Sequence, residues 1–343
     1  MPIFVTGGTG FLGVNLVRAL VDLGERCRLL VRPASPRIGL DLSGIEFVPG
    51  DVTDRDSLRQ AMRGCDRVFH LAAWVQATPW GMDEARRVNV EGTRNVAECA
   101  LEAGVRKLVH VSSIATIGCG SIEHPADESS ACTVPGQHLP YYQTKYESEQ
   151  VVIAAVERGL NAVIANPTYL VGPWDIKPSA GRILIQIVTK RLRGFPTRGG
   201  INFVDVRRVA DGLVRAMEKG CTGRRYVMGG ENLSYRAYLE RVERVSGVRA
   251  FRLPMPYAAL FPFAAAGSAL GRVFPAAFRD VNLCVLHSAF MEHYVRSDRA
   301  RDELGFEVAP IDDAIGATIG WFCEHGYLDA SRLKGLRRPA VVN

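Results

Sequence analysis

Val5-Thr6-Gly7-Gly8-Thr9-Gly10-Phe11-Leu12-Gly13 is the stretch whose reading decides the fold of this chain. It continues an apolar run that begins at Ile3 and leads into an amphipathic segment, so its glycines fall on a strand-to-helix turn. Gly7 permits the tight turn, Gly10 lets a pyrophosphate approach the backbone, and Gly13 allows the helix to pack closely on the sheet. The start of the helix then offers unpaired N–H groups and a partial positive charge to that anion. Gly7, Thr9, Gly10, Phe11, Leu12 and Gly13 are therefore candidate dinucleotide contacts. A glycine pattern alone also describes a plain turn; its place directly after a strand and ahead of a helix gives it weight.

Outward from this loop, strands are expected at 3–6, 27–31, 46–49, 67–70, 107–112 and 162–166. Helices are expected between them at 10–23, 54–62, 83–103 and 141–158. This alternation predicts βαβ units and an α/β fold of the doubly wound, Rossmann type, with a parallel sheet covered on both faces. After Pro167 the pattern loosens into turns and separate helices. We expect a dinucleotide-binding domain over 1–170, to which 201–228 returns as strand, helix and strand. A smaller substrate-side domain is expected from 171–200 and 229–343.

A doubly wound sheet binds its ligand at the carboxyl ends of its strands. The second strand ends in Val31-Arg32-Pro33, without the carboxylate that would hold the ribose hydroxyls of NAD. Arg32 can pair with a 2′-phosphate, which favours NADP and leaves NAD as the alternative; the plainer reading is that Arg32 opens a solvated loop. Asp51, before Val52, can accept from the adenine amino group or cap the helix expected from Asp54. Leu71, Ala72 and Ala73 follow the fourth strand, and the small alanines let backbone approach the cofactor.

Tyr141 and Lys145 are four apart on an expected helix and share a face. Ser112 and Ser113 end the fifth strand. Hydride transfer to a carbonyl needs a proton donor for the forming alkoxide, and a phenol serves if it is made more acidic. Lowering it from about 10 to about 7 takes roughly 4 kcal/mol. An ammonium about 4 Å away supplies a similar amount at an effective dielectric near 20. Ser113 would hold the substrate oxygen, and Tyr142 stands beside Tyr141 as the other phenol.

Together with Asp51-Val52, His70-Leu71-Ala72-Ala73, Asn89-Val90-Glu91-Gly92-Thr93, Val111-Ser112-Ser113 and Asn166-Pro167, these motifs resemble the extended short-chain dehydrogenases/reductases of the NAD-dependent epimerase/dehydratase family across nearly the whole chain. Segments 172–178 and 229–233 resemble its dihydroflavonol-4-reductase-like branch, which includes hopanoid-associated sugar epimerases. The resemblance implies catalysis by Ser113, Tyr141 and Lys145. It also implies contact of Lys145 with the nicotinamide ribose, Pro167 beside the nicotinamide, Asn89 tying helix backbone in place, and a homodimer formed through 83–103 and 141–158. Spacing to Gly118 selects Ser113 over Ser112. Arg208 departs from the family pattern, which often has an acidic residue there.

Three functions fit: a reductase or dehydrogenase acting on a ketone, aldehyde or alcohol, a sugar epimerase with transient oxidation, and a non-catalytic dinucleotide sensor. We favour the first, an NADP-dependent enzyme. A sugar dehydratase would want an acidic pair where Ile114-Ala115 follows Ser113.

At 343 residues and 47% hydrophobic, the chain can bury a full core without disulfides or metals. Its net charge of +6 is spread among 36 acidic residues and gathers only near Arg337-Arg338, which argues against nucleic acid as a partner. Eight scattered cysteines without a C-x-x-C pair suggest reduced thiols and no metal. No secretory leader is visible, and a cytoplasmic location is expected. Leu253 to Gly271 carries no charge, but Pro254, Pro256 and Pro262 break it, so a membrane span is not expected. We expect a buried helix or an apolar pocket wall, with a membrane-surface contact as the alternative. With Trp74, Trp80 and Trp174, it suggests a small-molecule substrate with an apolar part.

Overall fold

The computed structural model describes residues 1–76, 78–132, 139–192, 194–250, 253–278 and 280–333. Arg337-Arg338 and the end of the expected substrate-side domain lie outside them. The strands are β1 (Ile3–Thr6), β2 (Cys27–Val31), β3 (Ile45–Pro49), β4 (Arg67–His70), β5 (Lys107–Val111), β6 (Ala162–Pro167), β7 (Tyr169–Val171), β8 (Phe195–Pro196), β9 (Gly200–Asp205), β10 (Arg225–Met228), β11 (Glu231–Ser234), β12 (Pro254–Met255) and β13 (Glu292–His293). The helices are α1 (Phe11–Asp22), α2 (Arg55–Met62), α3 (Met82–Ala85), α4 (Gly92–Glu102), α5 (Pro140–Glu157), α6 (Arg182–Val188), α7 (Val206–Lys219), α8 (Tyr235–Ser246), α9 (Tyr257–Leu270), α10 (Leu283–Phe290) and α11 (Ile311–Glu324).

Seven parallel strands run in the order β3-β2-β1-β4-β5-β6-β10. They read as near-continuous apolar runs because both faces are covered. On one face Leu16 and Leu20 of α1 meet Val209 and Leu213 of α7. On the other, Leu58 of α2, Val96 and Ala100 of α4 and Val152 of α5 form a second core. Because β2 and β4 flank β1, the order reverses there and opens a crevice at the strand ends.

The helix expected over 83–103 is interrupted. Residues Arg86–Glu91 form a π-helical turn between α3 and α4, and that turn carries Asn89 to the site described below. The segment 201–228 divides: α7 packs on α1 and β10 extends the main sheet, whereas β9 joins a smaller sheet with β7, β11 and β13. Residues Ala300, Leu304 and Phe306 pack into the first core from late in the chain. The acidic residue missing at Arg208 does not disturb α7, because Asp205 caps it and Arg208 pairs with Glu307.

A buried helix over 253–271 is not what forms. Only Ala264 and Gly267 of α9 are buried, and Phe263 is 70% exposed. Tyr257 of α9 packs on His287 and Phe290 of α10, and a β-carbon on Gly267 would meet the Val281 carbonyl just before α10 at 1.9 Å, while Phe261, Phe263 and Leu270 turn outward. The pocket-wall expectation has one point of contact: Gly271 lies under the Trp80 ring. Trp174 instead stacks within the fold, beneath the Arg18 guanidinium and beside Trp321. No helix among the described residues is long and apolar enough to cross a membrane.

Candidate active site

Gly7 adopts φ +72°, and a β-carbon there would lie 2.5 Å from the Ala72 nitrogen. The glycine turn is thus pressed against the loop after β4. The Leu71 N–H donates to the Thr6 carbonyl at 3.0 Å, and the Ala72 N–H to Thr6 Oγ1 at 3.3 Å. Thr6 Oγ1 also meets His70 Nδ1 at 2.7 Å, while His70 Nε2 meets Thr93 Oγ1 at 2.9 Å. Burial and the nearby Lys145 charge hold this imidazole down at about 3, so it is neutral.

Gly13 serves a different contact from the one expected. Its β-carbon would strike Gly7 O at 2.2 Å and Gly8 Cα at 2.7 Å, so the helix packs on the turn's own backbone. Gly10 is open by comparison, since its β-carbon would meet only Gly7 O, at 3.3 Å. No side chain caps α1 at Gly10, and no acidic residue stands in its first turn. The open space at Gly10 and the uncapped first-turn N–H groups fit a pyrophosphate. Thr9 and Phe11 are half-buried beside it, while the Leu12 side chain is committed to the core.

Arg32 is exposed at the end of β2, and none of the ion pairs among the described residues involves it. Arg37 is occupied, its guanidinium lying 4.4 Å from the Phe47 ring centre. Asp51 does not cap α2; Asp54 does. Asp51 Oδ1 accepts from the Thr53 N–H and hydroxyl, both at 2.9 Å. Val52 is buried, with Gly92 packed against it. Ala72 and Ala73 are half-buried, and Pro167 ends β6 beside Met228.

The structure brings Ser113, Tyr141 and Lys145 together at the ends of β5 and α5. Pro140 occupies the first turn of α5, with Tyr141 and Lys145 one turn apart. Ser113 Oγ accepts from the Ala115 N–H at 3.1 Å and lies beside the Tyr141 side chain. Ser112 Oγ is buried with no hydrogen-bond partner among the described residues. Tyr142 turns away, stacking on His293 at 6.2 Å with Ser288 nearby.

Lys145 is 2% exposed and donates from Nζ to the Val111 carbonyl at 2.8 Å. Burial lowers it to about 8, partly offset by Glu149. Burial raises the Tyr141 phenol above its usual value, and the neighbouring Ser113 side chain pulls it back.

Glu149, Asn166 and Thr116 form a buried support that sequence reasoning passed over. Glu149 Oε1 accepts from Thr116 Oγ1 at 2.6 Å and from Asn166 Nδ2 at 2.7 Å, and Asn166 Nδ2 also reaches the Ser113 carbonyl at 3.1 Å. Glu149 follows Lys145 by four residues on α5, and that spacing was the available signal. Asn89 does more than steady its helix. It accepts from the Trp74 N–H at 2.7 Å and donates to the Trp74 carbonyl and to Thr144 Oγ1, joining the loop after β4 to α5.

Residues 3–229 match the model of the NAD dependent epimerase/dehydratase family. The chain is 36% identical to a putative dihydroflavonol 4-reductase of Synechocystis, covering 95% of each chain. It is 35% identical to sterol demethylase protein B of Methylococcus capsulatus, over 96% of this chain and all of the other. The crystal structure of a nucleoside-diphosphate-sugar epimerase from Pseudomonas aeruginosa superposes with a TM-score of 0.77 at 25% identity, covering 96% of this chain and 99% of that one. The family match over most of the chain, on a seven-stranded parallel sheet with its glycine turn at the crevice, makes this chain a member of the NAD-dependent epimerase/dehydratase family and an NAD(P)-dependent oxidoreductase of the extended short-chain dehydrogenase/reductase type.

Proposed function

We propose that the protein is an NADP-dependent reductase of a ketone or aldehyde, with Tyr141 as general acid, working in reverse as an alcohol dehydrogenase. The observation that carries this reading is the placement of Ser113 beside Tyr141 at the ligand edge of the sheet, with Lys145 buried one turn further along α5 and donating to the Val111 carbonyl at 2.8 Å. The dinucleotide, when bound, supplies the hydride. Gly7, Thr9, Gly10, Phe11, Leu12 and Gly13 would hold its pyrophosphate, Asp51 and Val52 its adenine, and Leu71, Ala72, Ala73 and Pro167 would line the rest of its path. Arg32 would pair with the 2′-phosphate, since no ion pair among the described residues competes for it.

Tyr141 delivers its proton to the substrate oxygen, and Ser113 holds that oxygen. Burial keeps the phenol protonated at neutral pH, the state that reduction requires. Lys145 keeps its ammonium beside the strand end through the Val111 carbonyl, placed to hold a ribose hydroxyl. The Glu149–Asn166–Thr116 support fixes the backbone that carries Ser113. Trp80 and the α9–α10 pair favour a substrate with an apolar part. A homodimer through α4 and α5 completes the proposal.

Tyr141→Phe is the test. It removes the hydroxyl alone, so cofactor affinity should persist while turnover falls by roughly 10²–10⁴-fold. Near-native turnover in this variant would sink the proton path. Exchangeable NADP(H) in freshly purified protein supports a reductase, whereas a retained dinucleotide that returns hydride to the same substrate would identify an epimerase.

A further inference from the structure

We infer that the apolar segment around α9 docks this protein on an anionic lipid bilayer, as an interfacial contact and not as a span. Phe263, Val273 and Phe274 are 70%, 71% and 60% exposed, and Phe261, Leu270 and Leu253 join them on the same short segment. Large apolar side chains gathered this way on one segment mark an interaction surface.

The charges around it select the partner. Lys190, Arg191, Arg198, Arg249 and Arg272 are exposed, and none takes part in an ion pair among the described residues. The chain itself places them at the two ends of α9: β8 pairs with β12, the strand that leads into the helix, so that Lys190, Arg191, Arg198 and Arg249 lie on segments flanking those strands, whereas Arg272 follows the last turn. Between Gly247 and Met291 the sole acidic residue is Asp280, which is committed to Arg182 at 2.6 Å; Glu292 comes next. A second copy of this chain, docked by the same face, would set these cations against each other. Anionic headgroups above an acyl layer satisfy the cations and the apolar side chains at once.

The docking face is continuous with the candidate active site. Trp80, on the loop after β4, packs against Gly271, and Ser288 of α10 lies near the Tyr142 side chain. A bilayer seated on α9 would therefore lie next to the residues beside Tyr141, although docking itself does not depend on the reductase reading.

The test is co-flotation of the full chain with phosphatidylcholine vesicles, with and without phosphatidylglycerol. At least tenfold more protein should float with the anionic vesicles, and raised salt should reduce that fraction. Combining Phe263→Asp with Phe274→Asp should abolish flotation while NADPH binding is retained. If that variant fails to bind NADPH, the pair Arg191→Glu and Arg272→Glu decides, and it must lower flotation on anionic vesicles. Three results would overturn the inference: equal or no flotation with both vesicles, flotation unchanged in the charge variant, or light scattering that shows a dimer dissolved by the Phe263→Asp and Phe274→Asp pair.

Discussion

Alanine at Gly10 and alanine at Gly13 should do opposite things, although both change the same turn by one methyl group. At Gly13 the added β-carbon would lie 2.2 Å from the Gly7 oxygen, while real β-carbons essentially never approach closer than 3.0 Å. Helix and turn must separate by about 0.8 Å, and the atoms in the way are backbone that cannot rotate aside. Overpacking of this kind costs roughly 1–3 kcal/mol. At about 2–4 °C per kcal/mol for a large domain, Tm should drop by several degrees. At Gly10 the β-carbon meets a single atom at 3.3 Å and otherwise enters the open space assigned to the pyrophosphate. Gly10→Ala should therefore melt within about 2 °C of the native protein while losing at least tenfold in NADPH affinity, about 1.4 kcal/mol. Differential scanning fluorimetry and NADPH fluorescence titration read the two quantities separately. Native affinity in Gly10→Ala would refute the placement of the pyrophosphate, and native Tm in Gly13→Ala would refute the packing argument.

Arg32→Asp should weaken NADPH binding much more than NADH binding; equal losses by titration would remove Arg32 from the 2′-phosphate. Lys145 is lowered to about 8, so its ammonium is present below that value and lost above it. The kcat/KM for reduction should accordingly fall as pH rises through about 8, and Lys145→Met should flatten that limb while also weakening cofactor binding. A native-like limb in Lys145→Met would assign the titration elsewhere. Light scattering at micromolar concentration should give a dimer mass, and a monomer mass would dismiss the α4–α5 interface.

Much of this protein was legible in its sequence because the signals are local. Strand and helix alternation predicts the doubly wound sheet, since period and length are properties of contiguous residues. A glycine turn straight after β1 and the four-residue spacing of Tyr141 and Lys145 are equally local. Other features required the chain to fold back on itself. That Gly13 packs on Gly7, that Ser113 lies beside Tyr141, and that Lys145 donates to Val111 were decided only when distant parts of the chain came together. Glu149 looks like an ordinary helix carboxylate until Asn166 and Thr116 are brought to it from other elements. The uncharged segment 253–271 gives the sharpest contrast. Hydrophobicity along a chain says that a segment avoids water, but only the tertiary structure decides which of its faces finds a partner. Here the small residues of α9 take the protein side and leave the phenylalanines outside.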